Sequence, residues 1–163
     1  MSYILKNVED KDKLCIVSPD AGGMHRAKQF HEHFKFHGHN QVGLAMISKE
    51  RKVANQIDSM TLIGDVRGKT CVLVDDMIDT AGTLVTAAEL LKKEGGATEV
   101  LAFATHGIFS GAAGERIADC EALTRVITTD SMRIDESFKA KVGGKYAQVS
   151  LDLLLAEAIR RTH

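Results

Sequence analysis

The chain is predicted to fold as an α/β protein, an open three-layer sheet with mostly parallel strands, and three observations lead there. Short apolar runs alternate with stretches of helical period along the chain. The runs Leu14 to Ser18, Cys71 to Asp75 and Val100 to Thr105 lack the alternation of a strand with one wet face, as strands covered by helices on both sides require. At 163 residues the chain suits one compact domain, 1–163, that buries about two thirds of its unfolded surface.

The first strand, Leu14-Cys-Ile-Val-Ser18, leads into an amphipathic segment from Met24 to Phe36. A strand from Val42 to Ile47 follows. Cys71 to Asp75 precedes a helix from Leu84 to Lys93, and Gly95-Gly-Ala97 stops that helix, because glycine accepts the left-handed conformation at a helix end. Val100 to Thr105 precedes a helix from Gly111 to Cys120, and Arg125 to Thr128 reads as a further strand. In the closing stretch, Leu151, Leu154, Leu155, Ala158 and Ile159 fall on one face before basic residues suited to a helix carboxyl end, so it is expected to be a packing helix.

Composition narrows the partners. With 44% apolar residues, 26% charged residues and a formal net charge of -1, the chain offers no electrostatic case for nucleic acid or an anionic membrane. Small molecules or other proteins are the expected partners. No basic start followed by an apolar run and a cleavage site opens the sequence, and no stretch approaches eighteen apolar residues, so a soluble, cytoplasmic protein is expected. Cys15, Cys71 and Cys120 form no CxxC pair and read as reduced core residues.

In such sheets ligands collect beyond the carboxyl ends of the strands. The most informative exit is Val72-Leu-Val-Asp-Asp-Met-Ile-Asp-Thr-Ala-Gly-Thr83, where a buried strand runs into two carboxylates and then a small-residue loop opening a helix. Asp75 and Asp76 offer acceptors to vicinal hydroxyls such as those of a ribose, and can contact a metal directly or through water. Asp79, Thr80, Ala81, Gly82 and Thr83 can turn backbone N–H groups and two hydroxyls toward one point at the positive end of the following helix, which suits a phosphate. Asp79-Thr80 taken alone also reads as a helix cap. The adjacent carboxylates favour the ligand, because they repel each other unless a cation or a polyol uses them.

Two further exits carry candidate chemistry. After the first strand comes Ser18-Pro-Asp-Ala-Gly-Gly-Met24, where Gly22 and Gly23 let bare backbone approach an anion and Asp20 can hold a divalent cation, although glycines after a strand also serve simply as turns. Lys49-Glu-Arg-Lys-Val-Ala-Asn55 follows another strand and reads, on generic grounds, as a solvated basic loop.

The Val72–Thr83 segment resembles the phosphoribosyl-binding signature shared by type I phosphoribosyltransferases and phosphoribosyl pyrophosphate synthetases. Asp20, Ala21, Gly22 and Gly23 resemble the synthetases' pyrophosphate loop, whose aspartate binds magnesium. The basic cluster is similar to their catalytic loop, in which Lys49 and Arg51 stand where a lysine and an arginine neutralise charge on the transferring diphosphate, with Lys52 a weaker candidate. Ser59-Met-Thr-Leu-Ile-Gly-Asp-Val66, Thr105-His-Gly-Ile-Phe-Ser-Gly111 and Ala156-Glu-Ala-Ile-Arg-Arg-Thr-His163 extend the likeness over nearly the whole chain. His106, at a strand exit, reads as structural.

The resemblance implies a type I phosphoribosyltransferase-like fold and, for an intact enzyme, Mg2+-dependent transfer of diphosphate from ATP to the 1-hydroxyl of ribose 5-phosphate. It also implies that this is the carboxy-terminal half of a two-domain synthetase lacking its amino-terminal half, a homo-oligomer when intact and nearly inactive as a fragment. Two departures stand out: the histidine-rich stretch His31 to Asn40, in which only His33 and His37 share a helical face and metal binding is disfavoured, and Thr129-Asp-Ser-Met132 in place of the family's turn. A phosphoribosyltransferase that uses the pyrophosphorylated sugar would need a base-recognition hood that the sequence does not display. A non-catalytic regulatory subunit would be expected to have altered the Asp75 to Thr83 loop, which is intact.

Overall fold

The computed structural model describes residues 2–8, 10–50 and 59–162. In chain order the elements are α1 (Ser2–Asn7), β1 (Leu14–Ser18), α2 (Met24–Phe36), β2 (Gly43–Glu50), β3 (Ser59–Ile63), β4 (Thr70–Ile78), α3 (Gly82–Lys93), β5 (Glu99–Gly107), α4 (Ala113–Asp119), β6 (Arg125–Thr129), α5 (Glu136–Val142), β7 (Tyr146–Val149) and α6 (Asp152–Thr162). The sheet runs β3-β2-β1-β4-β5-β6-β7. Only β3 is antiparallel to its neighbour, pairing Met46 with Ile63 and Ser48 with Thr61. The expected mostly parallel sheet is therefore present.

The continuous apolar runs are explained by two cores, one on each face. Cys15 and Val17 of β1, Cys71 and Leu73 of β4, and Val100, Ala102 and Ala104 of β5 pack with Leu84, Ala88 and Leu91 of α3. Their neighbours Leu14, Ile16, Val72, Val74 and Leu101 face the other way, against Ile4 of α1 and Ala27 and Phe34 of α2. Each fully buried leucine or isoleucine contributes about 1.5–3 kcal/mol relative to an exposed one, so strands burying both faces anchor the domain.

Beyond β1 the strand order reverses, because α2 carries the chain to β2 on one side while β4 inserts on the other. That reversal opens a crevice at the carboxyl ends of β1 and β4. Pairing between the two strands ends at Val17 with Leu73, while β4 continues beside β5 as far as Ile78 with Gly107. The acidic pair thus sits inside β4, on the overhang that outruns β1, rather than after the strand. Two amides of the overhang are satisfied by its own carboxylates: Asp76 N–H donates to Asp75 Oδ1 at 2.9 Å and Met77 N–H to Asp76 Oδ1 at 2.8 Å.

One expectation is corrected. The closing helix α6 does not pack on this domain: it buries no residue, and Leu154, Leu155 and Ile159 are 66%, 57% and 62% exposed. Helical period records that one face is apolar, not that this chain supplies its cover. The departure at Thr129-Asp-Ser-Met132 is ordered: Thr129 ends β6, and Asp130 accepts hydrogen bonds from Leu151 N–H at 2.9 Å and Ser150 Oγ at 2.8 Å, tying that turn to the start of α6. In the histidine stretch, His31 Nε2 lies 2.9 Å from the Val42 carbonyl and the His33 and His37 rings lie 4.3 Å apart. Among the described residues no three His, Cys, Asp or Glu gather as a metal cluster, and no helix is long and apolar enough to cross a membrane.

Candidate functional site: a crevice at the β1/β4 switch point

A cavity of about 220 Å³ opens at this crevice, lined among others by Asp20, Lys49, Asp75, Asp79, Thr80 and Thr83. Three segments distant in sequence therefore meet at one place. The floor is apolar, formed by Leu73 and Ala102, which lowers the local dielectric for the charges above it.

The loop after β1 is built on one aspartate. Asp20 Oδ1 accepts the Gly23 N–H at 2.8 Å, and Ser18 Oγ donates to the Asp20 carbonyl at 2.6 Å. A Cβ on Gly23 would lie 2.8 Å from Ser18 Oγ, so the turn tolerates no side chain there. Among the described residues, the second carboxylate oxygen of Asp20 accepts no hydrogen bond.

At the end of β4 the backbone turns through Ala81, whose φ of 60° and ψ of 6° are left-handed, a costly conformation for any residue with a Cβ. The turn sets α3 on a new axis, with Val85 N–H bonded to the Ala81 carbonyl at 3.0 Å. Among the described residues, no acceptor takes the backbone N–H of Asp79, Thr80, Ala81, Gly82, Thr83 or Leu84. Six amides at the positive end of a twelve-residue helix are thus free to meet an anion. Lys49, at the end of β2, brings its Nζ to 3.5 Å from Thr83 Oγ1 and adds a full positive charge to the same place.

Arg26 is the site residue that sequence reasoning missed. From the first turn of α2 it reaches across the crevice, Nη1 donating to Asp75 Oδ1 at 3.2 Å and Nη2 to Asp76 Oδ2 at 2.9 Å. The repulsion between the two carboxylates is therefore already relieved by a cation from the protein. Its signal was in the sequence, as the one Arg or Lys in the first turn of the helix that follows the glycine loop.

The two carboxylates differ in their titration. Desolvation pushes the Asp75 carboxyl above the ordinary carboxylate range, and the Asp76 charge beside it adds to the rise, against the opposing pull of the Asp76 N–H and of Arg26. At Asp76 desolvation also raises, but Arg26, the Met77 N–H and the Asp75 hydrogen bond together outweigh it and hold the group below that range. Cys15 and Cys71 are paired across β1 and β4 near the amino ends of those strands, away from the crevice. Burial pushes their thiols up to about 11 and about 12, which makes them inert packing groups.

The structure brings together Asp20, Lys49, Asp75 and Asp79 to Thr83 at the cavity, with Ala21, Gly22 and Gly23 in the adjacent turn, while Asp76 does not line the cavity and is paired with Arg26. Arg51 and Lys52 lie outside the described residues. His106 bonds through Nδ1 to Ser131 Oγ at 2.9 Å and does not line the cavity.

A mostly parallel seven-stranded sheet, with an acidic pair and a turn of unpartnered amides at its switch point, has the fold of a type I phosphoribosyltransferase-like protein. Comparison with known proteins carries this further. Residues 39–163 match the family model described as the phosphoribosyl synthetase-associated domain, and the chain belongs to that family. It is 46% identical over 156 residues to a ribose-phosphate pyrophosphokinase of Vibrio cholerae, covering 96% of this chain and 46% of that protein. The structure of a phosphoribosylpyrophosphate synthetase from Mycobacterium smegmatis superposes with a TM-score of 0.81 at 37% identity, over 99% of this chain and 48% of that one. A purine phosphoribosyltransferase from Pyrococcus horikoshii shares the fold, with a TM-score of 0.50 at 18% identity over 91% of this chain and 74% of that one. The chain spans about half the length of the curated relatives it matches.

Proposed function

We propose that this chain is the ribose 5-phosphate-binding, carboxy-terminal domain of a Mg2+-dependent ribose-phosphate diphosphokinase, which converts ATP and ribose 5-phosphate to AMP and 5-phosphoribosyl 1-pyrophosphate. The observation that carries the reading is the juxtaposition, at one cavity, of the unpartnered amides of Asp79 to Leu84 with the Asp75 carboxylate, whose neighbour Asp76 shares its Arg26 partner. Phosphate at one end and vicinal hydroxyls at the other match the two ends of a pentose phosphate.

In this reading Asp79 to Thr83 hold the 5-phosphate, Asp75 and Asp76 accept from the ribose hydroxyls, and Asp20 to Gly23 receive the diphosphate. The sugar's 1-hydroxyl oxygen attacks the β-phosphorus of ATP, its proton passes to solvent, and the bond from that phosphorus to the α-phosphate oxygen breaks to release AMP. Positive charge from Lys49, with Arg51 in the family's position for the same task, offsets the negative charge that spreads over the transferring group. The Asp20 and Asp75 carboxylates fit a hard cation that keeps most of its waters, and when bound Mg2+ would neutralise the phosphates of the nucleotide. ATP binding needs a further domain of the kind that the relatives' additional length accommodates, so the chain alone is expected to catalyse little. In the whole protein we expect a cytoplasmic homo-oligomer.

Calorimetric titration with ribose 5-phosphate in the presence of magnesium tests the proposal, comparing the wild type with Thr83→Val. The expected result is saturable 1:1 binding that the variant weakens about tenfold, the scale of one lost hydrogen bond to a charged ligand. Absence of binding by the wild type removes the proposal, and a nucleobase that binds in place of the sugar phosphate redirects it to nucleotide salvage.

A further inference from the structure

The segment Thr105-His-Gly-Ile-Phe-Ser-Gly111 has no part in the cavity, yet its residues and the helix it opens are bonded to the turn that forms the anion site. Ile108 and Phe109 both donate their N–H groups to the Ile78 carbonyl, at 2.9 and 3.1 Å. Ser110 Oγ donates to Asp79 Oδ1. From the first turn of α4, Arg116 Nη1 donates to the Thr80 carbonyl at 2.7 Å. Ile78, Asp79 and Thr80 are thus held, one after another, immediately ahead of the left-handed Ala81.

The bracing segment is itself anchored. Phe109 is left-handed too, with a φ of 52°, and its ring stacks on Phe138 at 4.1 Å and meets Tyr146 edge-on at 5.8 Å. Gly107 makes room for that ring, because a Cβ there would lie 2.4 Å from Phe109 Cε2. An aromatic cluster between α5 and β7 therefore fixes a loop that in turn fixes the anion turn.

The electrostatics give this arrangement a purpose. An anion entering the amide cradle would be repelled by the Ile78 and Thr80 carbonyls and by the Asp79 carboxylate. All three accept hydrogen bonds from groups that do not line the cavity. Ser110 and Arg116 thereby engage the negative atoms of the turn while its N–H groups stay free.

We infer that Ser110 and Arg116 are positioning residues for the phosphate end of the site: they touch no ligand, and they hold the strained turn in the one arrangement that presents its amides. The inference rests on the ribose 5-phosphate reading above for the identity of the anion. The geometry of the brace stands independently of it.

Two measurements on the wild type and on Arg116→Ala, Arg116→Lys and Ser110→Ala separate these claims. Hydrogen exchange followed residue by residue is expected to accelerate at the bonded amides of the turn and its brace, Val85, Ile108 and Phe109, in Arg116→Ala and Ser110→Ala, with the protection of Cys71 to Val74 unchanged. In NMR titrations, ribose 5-phosphate is expected to bind Arg116→Ala about tenfold more weakly and Ser110→Ala about threefold more weakly, with ribose affinity unaffected and Arg116→Lys restoring most of the loss. Unchanged exchange in the turn, or an equal loss for ribose and ribose 5-phosphate, overturns the inference. Faster exchange in a protein whose wild type does not bind ribose 5-phosphate keeps the brace and overturns the assignment of its ligand. Should Arg116→Ala not fold, Ser110→Ala carries the same comparison.

Discussion

Arg26 Nη2 lies 2.9 Å from Asp76 Oδ2, and this ion pair joins the helix that follows the glycine loop to the acidic overhang of β4. Its second branch reaches Asp75 at 3.2 Å, so one guanidinium serves both carboxylates. In the proposed function, a sugar hydroxyl or a hydrated cation would share those oxygens with Arg26. The pair lies at half-exposed positions, where solvent screening limits such contacts to about 0.2–1 kcal/mol, so its importance is in orientation more than in stability.

Asp75 makes folding stability depend on pH with a definite sign. Its carboxyl titrates higher in the folded chain than its ordinary value of 3.8, so the folded state holds the proton more tightly across the window above that value. Stability contributed by this group is then lost as pH rises through the window, and the deficit persists at neutral pH. Asp75→Asn, which leaves Arg26 paired with Asp76, is expected to melt about 1–3 °C higher than wild type at neutral pH. Calorimetric melting across a pH series checks this: the advantage should vanish below pH 3.8, and an advantage that grows on acidification contradicts it.

Ala81 carries a left-handed backbone with a buried side chain, 5% exposed. Ala81→Val puts a β-branched residue where both its backbone conformation and its volume are disfavoured, at a cost of about 2–3 kcal/mol. Urea denaturation should show that loss in the midpoint with an unchanged slope. A variant as stable as wild type would mean that the turn is not held left-handed in solution.

Buried thiols with raised pKa values resist modification. Cys15 and Cys71, pushed up to about 11 and about 12, are expected to react with a disulfide reagent at least about a hundredfold more slowly in the native protein than in denaturant. Stopped-flow labelling at mildly alkaline pH measures the ratio. Rapid labelling of Cys15 or Cys71 in the native chain would show that the sheet opens.

The apolar face of α6 contributes nothing to the core of this domain, because Leu154 and Ile159 remain mostly exposed. The double substitution Leu154→Ser, Ile159→Ser is therefore expected to shift the melting temperature by less than about 2 °C, the range of surface changes. A fall of ten degrees or so would show that the helix is covered in solution.

The strands that bury both faces were legible because their residues have to be apolar throughout, as in Cys71-Val-Leu-Val74. β7 and α5 left no comparable trace. Tyr146 to Val149 is four residues long and only partly buried at a sheet edge, and α5 buries Val142 alone. The acidic pair and the anion turn could be read because they form one contiguous string. Arg26 could not be assigned to them, since it lies 49 residues from Asp75, and Ser110 and Arg116 lie 31 and 36 residues from the turn atoms that they hold.

The covered strands, the chemistry of the Asp75 to Thr83 string and the family motifs were legible in the residues alone, because each is a local pattern of residue types. That Arg26 neutralises the carboxylates, that Lys49 meets Thr83, that a second loop fastens the Asp79 to Thr83 turn and that α6 leaves its leucines uncovered all depended on the folded arrangement. Each of those depends on which segments the strand order brings side by side, and side-chain distances of about 3 Å follow from that folding rather than from residue spacing along the chain.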